Sequence, residues 1–147
     1  MSDYRRVAGT GSIRIKDDET FVDDYGFYTV GGFAVIGPAF PSRELERGSK
    51  CVGGEVRFEI DLNAEYTVGG DVRIKGEARL FEGTGCNTMD LEATQSVDLI
   101  VPKDSTAAIN ISLDSTGTGG GDWAKGRISF TNIQQPEVQI YRQPLSS

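Results

Sequence analysis

Val56, Phe58, Ile60 and Leu62 occupy every second position of one segment, with Arg57, Glu59 and Asp61 between them. A two-residue period is what an extended strand imposes when one face is buried and the other is wet. The alternation returns at Val72, Ile74, Ala78 and Leu80, at Val97, Leu99 and Val101, and at Ile109, Ile111 and Leu113. No window carries a sustained apolar stripe at helical spacing, so the chain reads as all-β.

The pattern predicts about eight strands. They lie near Ser12–Lys16, Gly26–Ile36, Glu55–Asn63, Asp71–Glu82, Leu91–Val101, Ala107–Ser115, Trp123–Asn132 and Glu137–Arg142. Turn-forming residues separate them, among them Asp17–Asp18, Asp23–Asp24, Gly53–Gly54, Gly69–Gly70 and Gly117–Asp122, which bond their own backbone or tolerate positive φ. At 147 residues the chain is the size of one domain, able to bury a sizeable core without staples. The expected architecture is a single antiparallel β-sandwich over residues 1–147, with 1–10 and 143–147 as flexible tails. A closed or partly open antiparallel barrel is the alternative. Gly31 and Gly32 inside the second segment mark a bulge or bend. Gly37–Gly54 reads as one long irregular connection in which Ser42, followed by Glu44 and Glu46, opens a helical turn.

The chain has 15 Lys and Arg against 22 Asp and Glu, a formal charge of -7. A field of that sign repels phosphate backbones and anionic headgroups, so no nucleic acid is expected as partner. The basic groups Arg5 with Arg6, and Arg43 with Arg47 and Lys50, read as solvated surface. No apolar run approaches the roughly 20 residues of a membrane span. No secretory signal opens the sequence, which leaves a cytoplasmic protein or one whose leader has been removed.

Reversal of direction at each turn alternates the loops between the two ends of a sandwich. Gly37–Gly54, Gly83–Asp90 and Thr116–Asp122 then share one end, and with them Cys51 and Cys86. A Cys51–Cys86 disulfide is expected there, two reduced thiols being the alternative. Glu82, Asp90 and Asp122 fall at the same end and offer hard oxygen ligands for calcium, although no D-x-D-x-D-G loop is present. Asp23, Asp24, Asp71 and Asp104 are assigned to the opposite end. The expected partner-binding residues are Phe40, Asn87, Asp90, Gly119, Gly120, Asp122 and Trp123. Trp123, the single tryptophan, either stacks on a ligand or caps the core.

The chain contains no histidine, so it holds no Ser-His-Asp or Cys-His nucleophile system and no His-ligated zinc or haem. Alternation assigns Glu55, Glu59, Asp61, Glu77 and Asp98 to wet strand faces. No catalytic residue is named. The segment VPKDSTAAINISLD, Val101 to Asp114, resembles stretches of many Ig-like bacterial accessory and surface modules; it covers a small part of the chain and carries over no functional residue. The expected function is a non-enzymatic recognition or assembly module. It would act through the loop end, or through an exposed edge at Val138–Tyr141, on a protein partner or a second copy. The alternatives are a calcium-dependent sandwich that binds glycan or lipid headgroups, and a small barrel cyclase or isomerase whose cavity is lined by Tyr25, Tyr28, Tyr66 or Tyr141.

Overall fold

A computed structural model describes residues 3–116 and 121–136. Nine strands stand among these residues: β1 (Arg5–Asp17), β2 (Asp24–Val30), β3 (Phe33–Ile36), β4 (Ser42–Val52), β5 (Val56–Tyr66), β6 (Val72–Glu82), β7 (Leu91–Val101), β8 (Ser105–Asp114) and β9 (Trp123–Gln134). They form two antiparallel sheets, a five-stranded one ordered β2-β1-β9-β8 with β3 also on β1, and a four-stranded meander β4-β5-β6-β7. Neither sheet closes on itself, so the fold is the sandwich and not the barrel. Among the described residues no helix is long and apolar enough to cross a membrane.

The inward members of each alternating segment meet between the sheets. Val7, Ile13, Ile15, Ile111, Leu113, Ile128 and Phe130 from one sheet pack with Val56, Phe58, Ile60, Leu62, Ile74 and Leu80 from the other. The first and last described strands lie side by side, in register from Arg5↔Gln134 to Lys16↔Trp123. Residues 5–10, expected as a tail, are thus part of a central strand, and Arg5 is fully buried with its guanidinium 2.6 Å from Asp104. At the same end the buried Asn132 side chain donates to the carbonyls of Gly70, Val101 and Pro102, tying β9 to the turns of the opposite sheet.

The two open sides of the sandwich are closed by polar side chains that stand in for backbone. On one side Gln95 of β7 donates to Asn110 O at 2.9 Å and accepts Ser112 N–H at 2.8 Å, so its amide completes the β8 edge. On the other side Glu46 of β4 accepts the N–H groups of Gly31 at 3.2 Å and Gly32 at 2.8 Å, and the Tyr28 hydroxyl. Gly31 and Gly32 interrupt β2 and β3 without shifting register, because Val30 faces Gly11 and Phe33 faces Ala8 along the same line. Gly32 is a glycine for lack of space: a Cβ there would overlap the Leu45 carbonyl of β4.

One element departs from expectation. Residues 42–52 are a strand, not an irregular connection with a helical turn, and they pair with β5 from Ser42↔Glu65 to Val52↔Val56 with a bulge between Glu44 and Glu46. Only Leu45 and Val52 of this strand are buried, which is too sparse for the two-residue period to register. The strand expected at Glu137–Arg142, and with it the Val138–Tyr141 edge and Tyr141, lies outside the described residues.

Cys51 and Cys86 are joined by a disulfide, Cα atoms 5.9 Å apart, across 35 residues of chain. In the chain-entropy account a loop of that length is stabilised by about 3–4 kcal/mol. A thiol count in denaturant without reductant therefore reads zero, and reduction lowers the free energy of unfolding by that order, seen as a lower denaturant midpoint. Burial, and then the Glu46 carboxylate, push the Tyr28 hydroxyl well above the ordinary phenol range. A pKa raised on folding stabilises fully below the unfolded value of about 10 and is lost as pH rises past it. Tyr28→Phe removes a hydrogen bond to a charged acceptor, costing about 1.5–3 kcal/mol at neutral pH, and flattens the alkaline loss of stability in unfolding measurements.

Candidate functional site

In antiparallel sheets paired residues point to the same side, so the registers place every outward residue. On the four-stranded sheet the outer face neutralises itself. Arg79 lies 2.6 Å from Asp61, 2.8 Å from Glu77 and 3.6 Å from Glu59. Arg57 pairs with Glu59 at 2.7 Å, and Arg73 holds Asp98 through two bonds of 2.8 and 2.6 Å. Arg73 keeps the Asp98 carboxyl below its ordinary value. The shallow depression over Gly76 is lined by Asp61, Glu77, Arg79 and Asp98 of these pairs, together with Lys75.

The outer face of the five-stranded sheet is built differently. One cross-strand row carries Tyr25, Lys16 and Trp123; the next carries Phe27, Arg14 and Lys125; then come Thr29, Ser12 and Arg127. Further along, Phe33 sits beside Ala8, and Val35, Arg6 and Ile133 form the last row. Asp114, beside Trp123 on β8, is the single carboxylate among the outward strand positions of this sheet. The cations lie over rings. The Arg14 guanidinium is 4.2 Å from the Tyr25 centroid and 6.0 Å from that of Trp123, the Lys125 ammonium is 5.0 Å from Trp123, and the Arg6 guanidinium is 4.2 Å from Phe33. A ring attracts a cation without cancelling its charge. Lys16 is the exception, with Asp18 at 3.9 Å and Asp23 at 3.8 Å. Phe27 and Phe33 remain 58% and 56% exposed, far more than folding of the domain requires of them.

The loop end holds the opposite charge. Asp17 closes β1, and Glu19 follows in the β1–β2 connection; Glu55 ends the three-residue β4–β5 turn, where Gly53 and Gly54 adopt φ of 64° and 76°, the left-handed region that favours glycine. Oxygens of these three carboxylates lie within 4.8 Å of one another. Burial, then Glu19, then Asp122 and Glu55 push the Asp17 carboxyl up to about 7. Burial, then the neighbouring Asp122, raise Glu82. Asp122 is itself buried and accepts the Asp18 N–H at 2.7 Å.

The residues singled out in the sequence therefore scatter. Glu82 and Asp122 are neighbours at the loop end. Asp90 is exposed; its carbonyl accepts the Glu82 N–H at 3.1 Å and its own N–H bonds Thr88. Asn87 lies on the same 83–90 loop, whose Arg57–Cys86 carbonyl bond fastens it to β5. Phe40 sits at the opposite end, in the Gly37–Phe40 turn with Arg43 5.5 Å above its ring, because the strand at 42–52 carries the chain from one end to the other. By the same reversal Asp23 and Asp24 join the Cys86 end and not the end of Asp71 and Asp104. Glu55 stands in a turn and not on a wet strand face. Gly119 and Gly120 lie outside the described residues. Trp123 points outward beside Tyr25, ring centroids 6.2 Å apart, and does not cap the core.

Arg14, Lys125 and Arg127 on this face, and Glu19 at the loop end, were not singled out in the sequence; Asp17 reads there, with Asp18, as a turn acid of unassigned end. The signal for the first group was present: Arg14 and Lys16, Tyr25 and Phe27, and Lys125 and Arg127 each share parity within one strand.

No family model and no curated protein matches the chain. Among solved structures, the secretin InvG of the Salmonella SPI-1 type III secretion injectisome, in its open gate state, aligns with 93% of this chain at 9% identity and a TM-score of 0.28. The alignment spans 60% of that secretin chain. Likeness of this degree bears on neither family nor function.

Trp123 is the only tryptophan, so its emission reports the field over the cationic face. Despite the net charge of -7, iodide quenches it more steeply than caesium at low ionic strength, by about twofold or more in the quenching constant. Combining Arg14→Glu with Lys125→Glu reverses that order.

Proposed function

We propose that this protein is a non-enzymatic recognition and assembly module that docks an acidic protein surface on the outer face of its five-stranded sheet. The observation that carries the reading is the alternation of exposed rings with cations that form no ion pair among the described residues: Arg6, Arg14, Lys125 and Arg127 among Tyr25, Phe27, Phe33 and Trp123. Aromatic and arginine side chains are the groups that dominate desolvated interface centres. The cations select carboxylates, and the rings supply apolar area that solvated carboxylates alone would not reward. A long polyanion fits less well, since the rest of the molecule opposes its approach. A second copy of the chain offers a suitable acidic surface in its own loop end, where Glu19, Glu55 and Glu82 gather around the buried Asp17 and Asp122. Face-to-end contact of that kind is heterologous and propagates unless its rotation closes.

The test uses an oligo-glutamate peptide containing interspersed leucines, with an oligothymidylate of equal charge as comparison, both titrated into the full chain at low salt while Trp123 emission is followed. The peptide produces a saturable change that weakens as salt rises, and Arg14→Glu reduces its affinity by about tenfold or more, as expected when a charge-assisted anchor is removed. Absence of a peptide response, or a stronger response to the oligothymidylate, overturns the reading. Sedimentation of the chain over a range of concentrations at low salt then decides whether a second copy serves as the acidic partner.

A further inference from the structure

At the loop end, away from the cationic face, we infer that Asp17, Glu19 and Glu55 form a calcium site that joins the two sheets. Asp17 belongs to the five-stranded sheet and Glu55 to the turn that opens β5 in the other. Their carboxylate oxygens and one from Glu19 lie within 4.8 Å of one another. Oxygens bonded to one calcium ion at about 2.4 Å lie no more than about 4.8 Å apart, a condition that this trio meets.

A second observation points to a ligand. Asp17 is only 1% exposed, and its Oδ2 has no hydrogen-bond partner among the described residues. A carboxylate withdrawn from water and left unpaired among other acids is costly. The backbone holds it there nonetheless: Gly53 passes so close that a Cβ would overlap Asp17 Oδ2. The nearby ammonium of Lys16 is engaged elsewhere, 3.9 Å from Asp18 and 3.8 Å from Asp23. Asp122 and Glu82 add negative charge behind the trio. A cation bound among these carboxylates would offset that cost.

The donor set selects the ion. Only oxygens are offered, the chain has no histidine, and both cysteines are in the disulfide, which disfavours zinc and copper. Magnesium demands bonds of about 2.0–2.1 Å in near-octahedral order, whereas two of these carboxylates hang from a loop and a hairpin turn. Calcium accepts such irregular shells and fills them with carbonyls and water.

The full chain, disulfide intact and stripped of divalent ions with chelator, is titrated with calcium chloride by calorimetry and melted with and without it. The expected result is a single saturable site of about 10⁻⁴–10⁻³ M or tighter, and a melting temperature raised by about 3–6 °C at ten times that concentration. Glu19→Gln combined with Glu55→Gln, both at the surface, weakens binding by about tenfold or more. Asp17→Asn abolishes the calcium response while the ion-free protein melts no lower than the parent, because the unpaired buried charge is gone. Three results would each overturn the site: no heat and no shift at about ten times the upper concentration, a double variant that binds like the parent, or an equal response to magnesium. Since the oligo-glutamate titration is read at Trp123 on another face, failure here leaves that reading standing, and the converse holds.

Discussion

A sandwich of two open sheets has two flanks along which its core meets water and its edge strands present unpaired backbone. In this protein each flank is sealed by one polar side chain set at an inward position. Gln95 supplies the β8 edge with an acceptor and a donor at strand spacing, and Glu46 supplies β2 and β3 with an acceptor where Gly31 and Gly32 break the ladder. These contacts fix how the sheets sit over one another, and Asn132 does the same at the end of the turns. Every feature that spans both sheets depends on that fixed relation, including the disulfide end and the convergence of Asp17 with Glu55.

The two outer faces show how strand alternation can hide a charge pattern inside a composition. The acids outnumber the bases overall, yet they are not spread evenly. On the four-stranded sheet Glu59, Asp61, Glu77 and Asp98 are matched by Arg57, Arg73 and Arg79. The loop end collects acids beyond that. What remains for the outer side of the five-stranded sheet is a surplus of arginine and lysine over rings. The net charge of -7 describes the distant field of the molecule. Within about a Debye length of a surface the local arrangement governs what binds.

The alternation in β5 to β9 was legible because the inward positions of those strands are mostly apolar, as at Phe58, Ile74 and Ile128, with Gln95 and Asn132 as polar exceptions. β4 was not legible, since an edge strand with a bulge at Glu44–Glu46 and a functional acid at an inward position has almost no apolar period left. Missing that one strand had a consequence beyond its own residues. Each strand reverses the chain, so omitting one inverts the end assigned to everything before it relative to everything after it. Phe40 was thereby put with the cysteines and Asp23 and Asp24 away from them, whereas Gly83–Asp90 and Thr116–Asp122, with no missed strand between them, were correctly grouped. The Asp17–Glu19–Glu55 trio could not be read at all from the linear sequence, because its members come together only when β4 is counted and the hairpin at Gly53–Gly54 folds over the end of β1.

The cationic face and the acidic end are adjoining products of a single strand. Successive residues of β1 point to opposite sides, so Lys16 stands on the outer face beside Tyr25 and Trp123 while Asp17 turns inward beneath Gly53. Opposite charges at neighbouring positions would neutralise each other on a helix turn or in a loop; on a strand the sheet itself separates them. The rings then keep the outer charges in place. The charged heads of Arg6, Arg14 and Lys125 sit over the rings of Phe33, Tyr25 and Trp123, while Phe27 stays exposed. On the reading proposed above, a carboxylate-bearing surface would pair with these heads and cover the exposed rings of Phe27 and Phe33.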